Sequence, residues 1–336
     1  MAPGGAGGSL VPGGVPVSGP AALRATLLRL LGPEVAELLA DRSVTELYTV
    51  EGHPELWVDD AQGRHPAGIP FPPERVQMFL NAVASGAGID FGPAAPRLAA
   101  DLPEGLGRLQ GFLPPLAVQP LFILRRPAPE VLPLAAWVDA GLVPAAVAEE
   151  LTRSLAEHET ILVVGGTATG KTTFLNSLLH ELARVVPAER IALLEDTPEL
   201  VCSSRDHIHL RTLPGLTLYD LLDAILRASP RRIVVGEVRD HAALAMLDAW
   251  NTGHPGGLAT LHANTCSDAL LRLGTLVQRA NVPPQSELIA ATVSRIVRLE
   301  GTTRATRHVA ELVVVEGFDP AERRFLLHPL FRRSTP

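Results

Sequence analysis

The second half of the chain alternates short apolar runs with amphipathic segments. The apolar runs predict strands at 161–164, 191–195, 207–211, 233–236 and 258–262. Helical spacing of apolar residues predicts helices at 171–184, 217–228, 240–251 and 267–280. Because this alternation is typical of a parallel sheet with helices on both faces, we predict an α/β fold with a mainly parallel sheet for residues 159–336.

The first half of the chain has a less regular pattern. Leucines recur at helical spacing from Ala21 to about Leu39, and residues 74–84 predict a further helix. Short strands are predicted in the segments TELYTV, ELWVDD, RLAADLP, GRLQGFLPP and PLFILRR. We therefore predict a smaller α+β domain over residues 21–126.

Two segments outside these domains differ in composition. Residues 1–20 are mainly glycine, proline and small residues, which predicts a disordered leader. Pro127, Pro129 and Pro133 indicate a linker, and an alanine-rich helix is predicted at 143–157. We therefore assign residues 127–158 to a linker and helix that lead into the α/β domain.

The segment ILVVGGTATGKTTFLNSLL contains a phosphate-binding motif between a predicted strand and a predicted helix. Gly165 to Thr172 match the pattern G-x-x-x-x-G-K-[ST], which predicts ATP or GTP as the ligand. Lys171 supplies a positive charge for the phosphates, and the hydroxyl of Thr172 is suited to ligate Mg²⁺. The expected nucleotide-binding residues are Gly165, Gly166, Thr167, Ala168, Thr169, Gly170, Lys171, Thr172 and Thr173. We expect positive φ angles at the glycines Gly165, Gly166 and Gly170.

Acidic residues follow two other predicted strands. Glu237 lies at the C-terminal tip of the predicted strand in the segment RRIVVGEVRD, where ligands bind in open α/β sheets, so we expect it to hold Mg²⁺ or to orient the attacking water. A surface glutamate that merely ends a strand is the alternative. Glu195 and Asp196 repeat the arrangement, and a solvated acidic turn explains them nearly as well as catalysis.

Histidine and arginine residues complete the candidate chemistry. His262 ends a predicted strand, from which it could donate a hydrogen bond to a γ-phosphate, although a structural role is the commoner one for such a residue. His254 is interpreted as a structural residue near a helix end. Arginines are numerous, and one or two are candidates for contact with the γ-phosphate.

Composition narrows the classes of function. The formal net charge of −7 and the pI of about 5.9 disfavour nucleic acid as the primary ligand. The 2 cysteines have no metal-ligand spacing, which fits a reducing cytoplasm. The sequence contains neither an apolar run of membrane-spanning length nor a basic signal-peptide start. We expect a protein that is neither secreted nor integral to a membrane.

Four motifs together resemble the type II/type IV secretion ATPase family, most closely the conjugal transfer ATPases of the Trb class. They are GGTATGKTT, LLEDTPEL, RIVVGEVRD and TGHPGGLATLHANT, in the family's order. The similarity extends upstream through SVTELYTVEGHPELWVD, LPEGLGRLQGFLPP and FILRRPA, so it covers nearly everything after the leader. The resemblance implies a RecA-like P-loop NTPase domain that binds ATP and Mg²⁺. The two cysteines exclude the four-cysteine zinc insertion of pilus-assembly and type II relatives.

The resemblance also implies an assembly and further site residues. It implies a homohexameric ring at the cytoplasmic face of the inner membrane, peripheral to it, with inner-membrane channel proteins as partners. By motif position, Lys171 and Thr172 bind phosphate and Mg²⁺, and Glu195 and Glu237 serve hydrolysis. His262 senses the γ-phosphate. The arginines that match the family's are Arg108 and Arg125 in the first domain, and Arg211 and Arg227 in the second.

We therefore expect an ATP hydrolase that powers a conjugation or type IV secretion channel. A pilus assembly or retraction motor of the Tad type is an alternative within the same fold. A nucleic-acid motor is disfavoured by the acidic net charge and by the lack of an aromatic and basic groove. A nucleotide-binding scaffold without turnover would require that Glu195 or Glu237 does not act on water.

Overall fold

The two halves of the sequence form two separate units in the computed structural model of the chain. They are Met1–Pro129 and Glu130–Pro336. The structure describes residues 19–333 except 42, 61, 127–130, 214 and 304–305. Almost all of the predicted leader, and Pro127 and Pro129 of the predicted linker, therefore lie outside the described residues.

The first unit combines helices with an antiparallel sheet. Its helices are α1 (Pro20–Leu31), α2 (Pro33–Ala40) and α3 (Pro73–Ala87). Its strands are β1 (Glu46–Thr49), β2 (Glu55–Asp60), β3 (Gly63–Pro70), β4 (Arg97–Leu102), β5 (Gly107–Phe112) and β6 (Leu121–Arg125). The strands pair in the order β3-β2-β1-β6-β5-β4. Alternate residues are buried, as in β4, where Leu98, Ala100 and Leu102 join a core shared with the helices.

The segment from Ala21 to about Leu39, where leucines recur at helical spacing, forms two helices. Gly32 separates them with φ 81° and ψ 165°, and Pro33 begins α2. Arg75 of α3 donates hydrogen bonds to the carbonyl oxygens of Leu30 (3.2 Å) and Leu31 (2.8 Å) at the end of α1. Arg75 therefore satisfies carbonyl oxygens at the end of α1 that have no partner within the helix, through a tertiary contact that leucine spacing cannot indicate.

The second unit contains the remaining elements. Its helices are α4 (Leu134–Asp139), α5 (Ala145–Ala156), α6 (Lys171–Val185), α7 (Leu218–Ile225), α8 (Ala242–Asn251), α9 (Cys266–Gln278) and α10 (Ser286–Thr292). Its strands are β7 (Ile161–Gly165), β8 (Ile191–Glu195), β9 (His207–Arg211), β10 (Arg232–Val235), β11 (Leu258–His262), β12 (Arg295–Glu300), β13 (His308–Asp319) and β14 (Arg324–Arg332). The sequence analysis assigned no element after residue 280, so α10 and β12 to β14 are additions.

The sheet of the second unit is mainly parallel. Its strand order is β14-β13-β12-β7-β11-β10-β8-β9, in which neighbours from β12 to β9 pair in parallel and β13 and β14 pair antiparallel. The predicted fold class is confirmed. Because β7 lies between β11 and β12, the residues that follow these three strands meet at one edge of the sheet.

Helices cover both faces of this sheet. One buried cluster contains residues of α7 to α10, and the other contains residues of α4, α5 and α6. In the second cluster Trp137 of α4 donates a hydrogen bond to the hydroxyl of Ser177 (2.8 Å) and packs edge-on against Phe174. The helices α4 and α5, which lie in the predicted linker region, thus contribute to the same core as the phosphate-loop helix α6.

Candidate nucleotide site

The phosphate motif forms a tight loop between β7 and α6. Gly165 has φ 155° and Gly170 has φ 86°. A Cβ atom on Gly165 would lie 2.7 Å from the carbonyl oxygen of Leu299, so the backbone of β12 excludes a side chain there. The third positive φ angle belongs to Ala168 (62°) and not to Gly166 as predicted. The residue in the middle of the loop with a left-handed backbone conformation is therefore Ala168.

The start of α6 is suited to bind an anion. Gly170 is the residue that caps this helix, and as a glycine it offers no side chain to the free N–H groups of the first turn. The positive end of the helix dipole lies at the same position. Thr167 and Ala168 are exposed at the top of the loop, whereas Lys171 is buried. Phosphate oxygens fit this arrangement of N–H donors.

Lys171 lies between the loop and the neighbouring strand. Its Nζ atom donates a hydrogen bond to the carbonyl oxygen of Gly166 (2.8 Å). The same atom lies 3.3 Å from Nδ1 of His262, the last residue of β11. The ammonium group is thus held at the side of the loop that faces β11.

Glu237 follows β10 and makes two charged contacts. Its Oε1 atom lies 3.3 Å from Nε2 of His262, and its Oε2 atom lies 2.5 Å from Nη2 of Arg239. Burial opposes the charged carboxylate, but the hydrogen bond and charge of Arg239, with smaller contributions from the charges of His262 and Lys171, keep the pKa of Glu237 below its ordinary value. The carboxylate is therefore ionised at neutral pH.

His262 connects the lysine to the glutamate. A lysine ammonium can only donate hydrogen bonds and an ionised carboxylate can only accept them. A neutral imidazole with its proton on Nε2 satisfies both neighbours, since Nδ1 then accepts from Lys171. Burial and the charge of Lys171 lower the pKa of His262, against the opposing charge of Glu237, which favours this neutral form.

Glu195 is held in a different network. Its side chain is buried, and Oε2 accepts hydrogen bonds from the backbone N–H groups of Glu199 (2.9 Å) and Leu200 (3.0 Å). Its Oε1 atom lies 2.5 Å from Nε2 of His209 on β9. These contacts fix the loop that follows β8. In this conformation Glu195 is not part of the contacts that link Lys171, His262 and Glu237, and its role in hydrolysis stays a prediction.

Asp196, the neighbour of Glu195, does approach those contacts. Its Oδ1 atom accepts from the hydroxyl of Thr212 (3.1 Å), and its Oδ2 atom lies 3.8 Å from Nη1 of Arg239. Arg239 thus connects the loop after β8 with Glu237 after β10. Among the arginines of the second domain, the sequence does not single out Arg239 as a partner of Glu237, although its place two residues after Glu237 in the motif GEVRD is a signal.

The four candidate arginines lie in three places. Arg108 of β5 and Arg125 of β6 are paired across neighbouring strands of the first unit. Arg211 is the last residue of β9, in register with Glu195. Arg227 is exposed and donates a hydrogen bond to the carboxylate of Asp223 (2.8 Å).

The other residues considered at the sequence level have simpler surroundings. Nδ1 of His254 lies 2.8 Å from the carbonyl oxygen of Pro230, consistent with a structural role. Thr172 and Thr173 are partly exposed in the first turn of α6. The hydroxyl of Thr172 and the carboxylate of Glu237 are the hard oxygen ligands that Mg²⁺ prefers beside phosphates, so this donor set fits the ion. No helix in the described part of the chain is both long and apolar enough to cross a bilayer.

Comparison with known proteins identifies the family. The model of the family described as type II/IV secretion system protein matches residues 97–318. The chain belongs to this family. The prediction made from the four motifs is confirmed.

Two relatives and one solved structure illustrate the similarity. The probable conjugal transfer protein TrbB of Sinorhizobium fredii is 38% identical over 293 residues, which cover 87% of this chain and 89% of the relative. The conjugal transfer protein TrbB of Rhizobium radiobacter is 33% identical over 288 residues, which cover 86% of this chain and 88% of the relative. The ATPase DotB of Legionella pneumophila shares the fold, with a TM-score of 0.60, 20% identity, and coverage of 93% of this chain and 85% of that one.

Proposed function

We propose that this protein is a Mg²⁺-dependent ATP hydrolase that powers a conjugation or type IV secretion channel. The observation that carries the proposal is the series of contacts from Lys171 of the phosphate loop, through His262, to Glu237. A loop suited to phosphates and an ionised carboxylate at the same sheet edge are what phosphoryl transfer to water requires. The family and its conjugal transfer relatives support the biological setting.

Each residue has a distinct role in this proposal. The backbone N–H groups of residues 165–173 and the ammonium group of Lys171 bind the phosphates. Thr172 and Glu237 would hold Mg²⁺, which neutralises phosphate charge when it is bound. The Glu237 carboxylate orients water and accepts its proton. His262 keeps Glu237 in position and donates from Nε2, while Arg239 holds the other carboxylate oxygen.

The assembly is part of the same proposal. We infer a homohexameric ring at the cytoplasmic face of the inner membrane, in contact with channel proteins. In such a ring Arg108 and Arg125 of one subunit, or Arg211 and Arg227, reach nucleotide bound by another. The pilus motor is less well supported, because the two conjugal transfer relatives are similar to this chain over most of its length.

A complementation assay tests function and ring together. A conjugation donor that lacks this gene should regain plasmid transfer with the wild-type chain and not with Glu237→Gln. When both are expressed, inactive subunits in a shared ring should reduce transfer well below the wild-type level. Full transfer in the presence of excess Glu237→Gln would argue against a ring, and restoration by Glu237→Gln alone would overturn the proposed function.

A further inference from the structure

Arg307 lies against the phosphate loop on the side opposite to His262. A Cβ atom on Gly170 would come within 3.0 Å of Cδ, 3.3 Å of Nε and 3.5 Å of Nη1 of Arg307. Gly170 is the residue that caps α6, so the guanidinium group lies beside the N-terminus of that helix. Arg307 belongs to no recognised motif, and it follows β12 by seven residues.

Arg307 directly precedes β13, which pairs antiparallel with β12 as the second strand of a hairpin. The next residue, His308, begins β13 and pairs with Glu300 of β12. The backbone N–H of Arg307 donates to the carbonyl oxygen of Thr303 (2.9 Å). Since β12 is the parallel neighbour of β7, this hairpin brings Arg307 next to the loop that follows β7.

The charges around Gly170 favour a bound anion. A guanidinium group at a helix N-terminus is unfavourable, because the helix dipole is positive there. Lys171, the next residue, adds a second positive charge. Phosphate oxygens between these groups would be stabilised by all three, and an arginine can contact two oxygens at once.

The direction of the nucleotide follows from the two flanks of the loop. His262 and Glu237 lie on the flank formed by β11 and β10, and the γ-phosphate must face Glu237 for hydrolysis. The remainder of the nucleotide then extends toward β12, where Arg307 lies. We propose that Arg307 binds the α-phosphate of ATP and ADP. This inference rests on the proposed function, since it assumes that the loop binds a nucleotide.

The contact predicts a specific pattern of binding constants. ATP and ADP share the α-phosphate, so Arg307→Ala should raise Kd for both by the same factor. Loss of a charged hydrogen bond predicts an increase of about 10- to 100-fold. The value of kcat at saturating ATP should stay within about twofold of wild type, because the contact is equal in the ground and transition states.

The experiment is titration of the full-length chain with ATP and with ADP, together with steady-state kinetics. Arg324→Ala is the matched control, since Arg324 is exposed at the start of β14 in the following hairpin. Arg307→Lys keeps the charge but removes the planar group, so its Kd values should lie between those of wild type and Arg307→Ala. Thermal unfolding of each variant shows whether it is folded. If Arg307→Ala is not folded, the Kd values of Arg307→Lys are used for the test instead.

Three results would overturn the inference. Unchanged Kd values in a folded Arg307→Ala, or in a folded Arg307→Lys if the alanine variant does not fold, would make Arg307 a purely structural residue. A larger loss for ATP than for ADP, with a lower kcat, would move its contact to the γ-phosphate. Failure of the wild-type chain to bind either nucleotide would overturn the proposed function and this inference with it.

Discussion

Nε2 of His262 lies 3.3 Å from Oε1 of Glu237. Its other ring nitrogen lies 3.3 Å from Nζ of Lys171, so one imidazole joins the phosphate loop to the carboxylate. If bound phosphates displace the ammonium group of Lys171, Nδ1 of His262 loses the hydrogen bond that it accepts from that group. The geometry therefore connects the phosphate end of a bound nucleotide to the group that would act on water.

The position of Lys171 beside the phosphates of a bound nucleotide can be tested without mutagenesis, because Lys171 is the only lysine in the chain. An acyl phosphate of ATP delivers its acyl group to an amine beside the terminal phosphates. We expect this reagent to label Lys171, and excess ATP to prevent the labelling. Mass spectrometry of the digested protein identifies the modified residue. Labelling of the N-terminal amine alone would contradict the assignment.

Lys171→Ala should remain folded and lose affinity for Mg-ATP. The expected loss is at least about 10- to 100-fold, since a charged hydrogen-bond donor to the phosphates is removed. Isothermal titration measures it, and circular dichroism shows whether the fold is intact. Undiminished affinity in a folded variant would be incompatible with the phosphate-loop prediction.

The variant His262→Ala distinguishes a role of His262 in coupling hydrolysis to transfer from a role in the stability of the fold. The side chain is 45% exposed, so its loss should change the melting temperature little. We expect ATP binding and ring formation to persist, turnover to fall about 10- to 100-fold for loss of an orienting partner, and plasmid transfer to be abolished. A large drop in melting temperature, with normal activity of the folded fraction, would make His262 a structural residue.

Much of this site could be predicted from the sequence. Lys171, Glu237 and His262 each follow or end an apolar run, and parallel strands bring such positions to one edge of the sheet. The same signal pointed to Glu195, yet the structure turns its carboxylate into the following loop. The local pattern indicates that a residue ends a strand. It does not indicate whether nearby backbone N–H groups will donate hydrogen bonds to that residue's side chain.

Other features depend on strand order, which periodicity does not encode. Arg307 reaches the phosphate loop only because β12 pairs with β7, although more than a hundred residues separate the two in sequence. The hydrogen bonds from Arg75 to the end of α1 likewise join residues that are distant in sequence. The break at Gly32 itself has a local signal, the pair Gly32-Pro33, which interrupts a helix regardless of leucine spacing.

Glu195 provides a prediction about stability. Glu195→Ala removes a buried carboxylate and leaves two backbone N–H groups and His209 without their acceptor. We expect the free energy of unfolding to fall by about 2–5 kcal/mol. Urea denaturation measures this free energy. Asp196→Ala is the control, because Asp196 is more exposed and its loss should lower the free energy of unfolding less. Normal stability combined with lost turnover would instead favour the catalytic role of Glu195.

The central claim is that Glu237 acts in hydrolysis at a nucleotide held by the phosphate loop. Its most direct test is phosphate release from Mg-ATP by the wild-type chain and by Glu237→Gln, with Kd for ATP measured on both. Glu316→Gln, an exposed substitution on β13, is the control. We predict that Glu237→Gln binds ATP like wild type while kcat falls about 10²- to 10⁴-fold. Normal kcat in Glu237→Gln, or no phosphate release by the wild-type chain with its partner channel proteins present, would contradict the account.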